Sequence, residues 1–174
     1  RSMEAYRAML VFARHATDPR TRSDAVRREA GDRLGRLAHK DELLDAVVEQ
    51  ACGDKGLASV QASQVLIAIG STAAARLVRS LENRKDASRA RVTQLLIALG
   101  DAAIAQVVDE LGSAQPERAR RAARLLGEMQ NPKGVCFLAD ALAGPDASLA
   151  REAALSLARI GDDAALQALL RGLR

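Results

Sequence analysis

The sequence has few aromatic side chains. Trp is absent, and the 174 residues include one Tyr and two Phe, at Tyr6, Phe12 and Phe137. Proteins that stack on nucleic-acid bases or enclose large flat ligands depend on aromatic side chains. This scarcity argues against a site of either kind.

Cysteine, histidine and long apolar runs are scarce as well. Cys52 and Cys136 lie far apart, which gives no disulfide framework and suits a reducing compartment. His15 and His39 stand alone, so we expect no metal and no other cofactor. No apolar run approaches the roughly 18 residues that cross a bilayer, and the first residues lack a signal-peptide layout. We therefore expect a cytoplasmic protein without a membrane partner.

Small and aliphatic residues are abundant instead. Hydrophobic residues make up 48% of the chain and charged residues 28%, with a net charge of +4. Ala and Leu are strong helix formers and let helices approach closely, which favours an all-α fold. The mildly basic balance leaves a nucleic acid or an acidic protein open as a partner.

A short motif recurs at nearly constant spacing. The segment Leu66–Gly70 recurs almost unchanged as Leu96–Gly100 and in similar form as Leu157–Gly161, with Gln130 where the intervening glycine would stand. The steps are 30, 30 and 31 residues. Such a period is typical of proteins built from repeated helix pairs.

Each copy of the motif ends one amphipathic helix and precedes another. Apolar residues recur at spacings of three and four on both sides of the motif. Residues that cap helix starts punctuate the pattern: Ser71, Asp86, Asp101, Asn131, Asp146 and Asp162. We predict eleven helices, near residues 4–16, 23–38, 41–52, 58–69, 72–82, 87–99, 102–112, 117–129, 133–143, 148–160 and 163–173.

The segment 146–162, with Arg151, the paired Ala153 and Ala154, and the closing Ile160-Gly161-Asp162, resembles the short HEAT repeat of the phycobilisome-lyase type. The resemblance implies a right-handed α-α superhelix, an armadillo-like α-solenoid, with five two-helix repeats over residues 23–174. Residues 1–22 would form a cap helix and a linker. We expect one domain over residues 1–174, excised from a longer bacterial-type protein.

In HEAT-like stacks the second helix of each pair lines a concave face. The exposed positions of those helices are therefore the expected contact surface for a protein partner or a neighbouring domain. The candidates are Asp45, Glu49, Arg76, Arg79, Gln106, Asp109, Glu110, Phe137, Asp140, Gln167 and Arg171.

An arginine-rich first helix offers an alternative surface. Its members are Arg118, Arg120, Arg121 and Arg124. A basic ridge of this kind would bind nucleic acid through phosphate contacts, while a solvated face of internal salt bridges is the competing interpretation.

Catalysis is not expected. Neither His15 nor His39 is followed by Glu, so the His-Glu pairs that bind iron in HEAT-like hydroxylases are missing. Membership of a HEAT-like enzyme such as a bilin lyase remains a second alternative. The sequence favours a non-catalytic scaffold module for protein binding.

Overall fold

The computed structural model describes residues 2–20, 23–53, 56–83 and 86–172, and these ranges contain helices and turns but no strand. The helices are α1 Ser2–Thr17, α2 Asp24–Ala38, α3 Asp41–Cys52, α4 Leu57–Ile69, α5 Ser71–Ser80, α6 Asp86–Leu99, α7 Asp101–Leu111, α8 Pro116–Met129, α9 Val135–Leu142, α10 Ala147–Ile160 and α11 Asp163–Gly172. Short 3₁₀ turns span Leu81–Asn83 and Pro132–Gly134. The prediction of an all-α fold with eleven helices is confirmed. The even-numbered helices from α2 are the first helices of the pairs, and the odd-numbered helices from α3 are the second.

Side chains cap several helices where the sequence predicts it. Asp146 accepts hydrogen bonds from the backbone N–H groups of Ser148 and Leu149 at 2.9 and 3.1 Å, and these bonds lower its pKa. Asp162 accepts one from Ala165 at 2.7 Å. The prediction is wrong for Ser71 and Asp101, because Gly70 and Gly100 occupy the N-cap positions and the two polar residues are the first of α5 and α7.

The motif glycines share a positive φ that few side chains tolerate. The φ angles are 74° at Gly70, 54° at Gly100, 48° at Gln130 and 67° at Gly161. Gly70 and Gly100 also have ψ near −126°, whereas Gln130 and Gly161 lie in the left-handed helical region. A residue with a Cβ can occupy that region at a cost of roughly 1–2 kcal/mol. This explains why glutamine is accommodated at position 130.

The described residues of 1–99 form one compact unit, in which hydrogen bonds of a buried serine and an arginine link three helices. Helix α4 packs against α1 and α3, and α5 packs against α6. Ser59 of α4 is fully buried, and its hydroxyl donates to the carbonyl of Ala51 at 3.1 Å. Arg91 of α6 donates to the Ser59 hydroxyl at 3.0 Å and to the Ala51 carbonyl at 3.4 Å. The carbonyl of Ala51, in the last turn of α3 where carbonyl groups lack helical partners, is thereby satisfied.

The described residues of 100–174 form a second compact unit that relies on small side chains. Helix α10 packs against α8, α9 and α11. A Cβ added at Gly127 of α8 would lie 2.7 Å from Ser156 of α10, so the two helices meet more closely than any larger residue allows. Ser156 is fully buried, and its hydroxyl has no hydrogen-bond partner among the described residues.

Candidate interaction surface

Burial defines the register of the second helices. The position that faces the core at the centre of each second helix is occupied by Val47, Leu77, Val107, Leu138 and Ala168. Two residues later an exposed row follows: Glu49, Arg79, Asp109, Asp140 and Leu170. Arg171, one of the predicted contact residues, follows Leu170 directly and lies one residue outside this row. The buried Leu126 and Leu138 of α8 and α9 stand one residue further apart in the chain than the buried Leu157 and Ala168 of α10 and α11.

In the unit of residues 1–99, two of the candidate charges, Asp45 and Arg76, pair with each other. Arg76 of α5 approaches Asp41 at 2.7 Å and Asp45 at 2.9 Å, both on α3, and its side chain is only 20% exposed. Arg76 and Asp45 therefore join two second helices. Arg79 is exposed and has no ion pair within the residues that the structure covers.

In the unit of residues 100–174, one aromatic and two acidic side chains of the candidate set are exposed. Phe137 of α9 is 38% exposed. Asp109 of α7 and Asp140 of α9 are exposed and form no ion pair with a described residue. Gln106 and Glu110 are half-buried. An apolar side chain one turn before a carboxylate without a described ion pair, as with Phe137 and Asp140, suits a protein surface that offers a cation beside an apolar contact.

Other members of the candidate set contribute less. Arg171 donates from Nε to the backbone carbonyl of Gln167 at 3.2 Å, and both residues are exposed on α11. The candidate set did not include two leucines of α11 that the structure leaves exposed. Leu166 and Leu170 are 53% and 49% exposed, and the register of buried residues carried the signal that would have located them.

Two of the four arginines of α8 form ion pairs with acidic side chains. Arg124 makes a bidentate ion pair with Glu152 of α10 at 2.9 and 3.0 Å, which lowers the pKa of Glu152 and raises that of Arg124. Arg120 pairs with Glu117 one turn earlier. Arg118 and Arg121 are half-buried. This arrangement favours the interpretation of the alternative surface as an internally paired outer face.

A groove lies between α1 and α4 and was not predicted. Its volume is about 520 Å³. Apolar and polar side chains both line it, among them Leu10, Val11, Arg14, Gln64 and Ile67. Val11 and Ile67 are 52% and 42% exposed. The groove is open to solvent along its apolar edge.

Groups that carry chemistry are dispersed. Within the residues that the structure describes, no three His, Cys, Asp or Glu side chains come together as a metal ion would require. His15 and His39 are both exposed, on α1 and just after α2. None of the described helices is both long and apolar enough to cross a membrane. The expectations of no metal and no catalysis stay predictions.

The fold and its repeating register define an α-helical repeat protein. The family model for HEAT repeats matches residues 104–174. This part of the chain carries HEAT repeats, and the all-α fold of the described residues is HEAT-like, as the sequence motif indicated. The finer likeness to the phycobilisome-lyase type stays a prediction.

Solved structures and curated proteins give weaker comparisons. Human deoxyhypusine hydroxylase is 21% identical over 98% of this chain and 71% of that chain, with a TM-score of 0.45. Two engineered proteins are 19% and 21% identical over 94% of this chain, with TM-scores of 0.40. The matches span 84% of the first engineered chain and 51% of the second. At these TM-scores none of the three supports an inference about activity, and no curated protein matches the chain.

Proposed function

We propose that the chain is a non-catalytic interaction module that binds a protein partner, or a neighbouring domain of its own chain, through the exposed side of its second helices. The observation that carries the proposal is the exposed Phe137, which shares α9 with Asp140 and stands one repeat after Asp109, two exposed carboxylates without an ion pair among the described residues. Aromatic side chains are enriched among the residues that dominate binding energy. A basic and apolar surface is the complementary partner.

The cytoplasm of a bacterial cell is the proposed location. Neither cysteine forms a disulfide within the described residues, and Cys136 is exposed. A reducing compartment keeps such thiols reduced. A module of this kind would act within a larger scaffold protein and would need no cofactor.

The partner is best captured through position 137 itself. We would replace Phe137 with a photo-crosslinking phenylalanine analogue in cells and place the same analogue at Leu57, which is 75% exposed on α4, as a matched control. A crosslink to one protein from position 137 but not from position 57 is the expected result. Equal labelling from both positions would contradict the proposed surface. The captured protein is then purified for affinity measurements.

Nucleic-acid binding through α8 is the second candidate, since Arg118, Arg120, Arg121 and Arg124 lie within two turns of one helix. Phosphate binding releases counterions, so affinity for generic duplex DNA would fall steeply as salt increases. The pairing of Arg120 and Arg124 with acids predicts little binding even at low salt. Binding with a steep salt slope would replace the first proposal.

An enzymatic role is the remaining alternative. Iron loading or bilin uptake by the purified protein would reveal a hydroxylase-like or lyase-like activity. We expect neither, because the two histidines lie apart and the aromatic side chains are few.

A further inference from the structure

The groove between α1 and α4 has apolar side chains on both of its walls. Leu10 and Val11 line it from α1, and Val65 and Ile67 line it from α4. Both helices belong to the unit of residues 1–99. Val11 and Ile67 are exposed, so apolar surface on both walls remains in contact with water. A molecule that covered these side chains would gain hydrophobic stabilisation.

The shape of the groove determines the kind of molecule that fits it. Its wall on α1 extends from Leu10 to Asp18, a stretch that rises about 12 Å along the helix. Sites for small molecules enclose most of the ligand, whereas this groove is open to solvent along its apolar edge. Both walls are helices that satisfy their own backbone groups, so they offer no edge to an extended strand. A helix that lies lengthwise between the walls is the occupant that fits.

Positive charges adjoin the apolar centre of the groove. Arg7 and Arg14 lie one turn before and one turn after Val11, on the same side of α1. Both arginines are exposed, and neither makes an ion pair with a residue that the structure describes. Their guanidinium groups are therefore available to carboxylates of another molecule.

The acidic groups on this side of α1 lie further from the centre. Glu4 and Asp18 stand one turn beyond the two arginines, towards the ends of the helix. Asp18 is half-buried, and its Oδ1 accepts a hydrogen bond from the backbone N–H of Arg20 at 2.8 Å. This bond engages Asp18 in the turn that follows α1. The charge next to the apolar centre is thus positive.

Amide groups add hydrogen-bond donors on the opposite wall. Gln61 and Gln64 of α4 line the groove, and neither side chain bonds to another residue in the described ranges. A glutamine amide can donate two hydrogen bonds, and a carboxylate accepts them. Both walls therefore offer donors to an acidic occupant.

We propose that the groove between α1 and α4 binds an acidic amphipathic helix of a partner protein. The apolar side of that helix packs on Val11 and Ile67, and its flanking carboxylates pair with Arg7 and Arg14. Apolar contacts supply affinity in this mode of recognition, while the charges fix the orientation of the bound helix. The groove lies outside the second helices, so the inference does not depend on the proposed function.

Binding of a designed peptide tests the proposal. The probe is a fluorescent, alanine-rich helix of about 18 residues, with leucines at spacings of three and four along one side and glutamates one turn from them. Anisotropy during titration with the 174-residue chain measures its Kd. We expect a Kd of about 0.1 mM or tighter. The same peptide with lysine in place of glutamate should bind at least about tenfold more weakly.

Substitutions in the groove locate the binding site. Arg14→Glu should weaken the glutamate peptide at least about tenfold and strengthen the lysine peptide, since it reverses the charge beside Val11. Val11→Asp should weaken the glutamate peptide, because it places a carboxylate in the apolar contact. The matched control Lys40→Glu, at an exposed lysine without a described ion pair, should leave both Kd values unchanged. Thermal melting of each variant reports whether it folds.

Several results would overturn the proposal. No binding of the glutamate peptide at concentrations up to about 1 mM would do so, as would equal binding of the two peptides. A Kd that no folded groove variant changes would place the peptide elsewhere on the chain. Tighter binding of the lysine peptide would assign a basic segment to the groove. A dimer in sedimentation that Arg14→Glu dissociates would assign a second copy of the chain.

Discussion

The two units of the chain differ in whether certain polar side chains have hydrogen-bond or ion-pair partners. In residues 1–99, Arg91 and Ser59 satisfy the end of α3, and Arg76 joins α3 to α5. In residues 100–174, the buried Ser156 hydroxyl has no described partner, and Phe137 is left exposed. Arg76 and Phe137 stand at equivalent positions, each directly before a buried leucine of a second helix, so the same position joins two helices in one unit and stays exposed in the other. The openness of the second unit is the basis of the proposed binding surface.

Two helical glycines should respond in opposite ways to alanine. Gly127→Ala in the second unit places a Cβ 2.7 Å from Ser156 and should lower the free energy of unfolding by about 1–3 kcal/mol. Gly35→Ala in the first unit meets nothing within 4 Å and should raise it by about 0.5–1 kcal/mol. Chemical denaturation measures both. Equal effects would show that close helix approach does not distinguish the units.

Alanine substitution of the two buried serines should also have different effects on the unfolding free energy. Ser59→Ala removes a hydroxyl that bonds to Ala51 and Arg91, and should cost about 1–2 kcal/mol of unfolding free energy. Ser156→Ala removes a buried hydroxyl without a described partner and should be neutral or stabilising by up to about 1 kcal/mol. A clear loss of stability in Ser156→Ala would mean that its hydroxyl is satisfied after all.

The Arg124–Glu152 pair predicts a pH dependence of the second unit. Hydrogen bonding to Arg124 lowers the pKa of Glu152 in the folded chain. The stabilisation is therefore present above the unfolded glutamate pKa of about 4.3, and is lost as pH falls through the lower folded value. Glu152→Gln should reduce stability by about 1 kcal/mol at pH 7, with a smaller reduction in acid. A reduction of the same size at all pH values would contradict the pairing.

The smallest expected effect is the difference in unfolding free energy between alanine variants at the two arginines of α5. Arg76→Ala breaks the contacts with Asp41 and Asp45 and should lower the unfolding free energy by up to about 1 kcal/mol. Arg79→Ala, at an exposed arginine three residues away, should stay within about 0.5 kcal/mol of wild type. If the two variants were equally stable, the first unit would not depend on its paired charges.

Periodicity was enough to locate the helices. The motifs ending at Gly70, Gly100 and Gly161 fix where first helices stop, since only a residue that tolerates positive φ can stand there. The predicted bounds therefore lie within a few residues of those observed. The same period does not reveal that Arg171 falls one residue outside the exposed row, because the buried Leu126 and Leu138 of α8 and α9 stand one residue further apart in the chain than the buried Leu157 and Ala168 of α10 and α11.

The sequence could not predict which side chains form ion pairs. Arg76 and Arg79 are the same residue type on one helix, yet only Arg76 lies opposite acids of α3. Which arginine is occupied depends on the distance between helices, and periodicity does not supply that distance. The exposure of the leucines of α11 could have been predicted from the sequence, because each stands at a register position that is charged in α3.

The affinity of the partner captured at position 137 tests the central claim most directly. Titration calorimetry with wild type and Phe137→Ala should show a Kd increase of about 30-fold, equivalent to about 2 kcal/mol, with the melting temperature within a few degrees of wild type. An unchanged Kd for a folded Phe137→Ala variant would contradict the claim that the open second-helix face of residues 100–174 binds a protein partner.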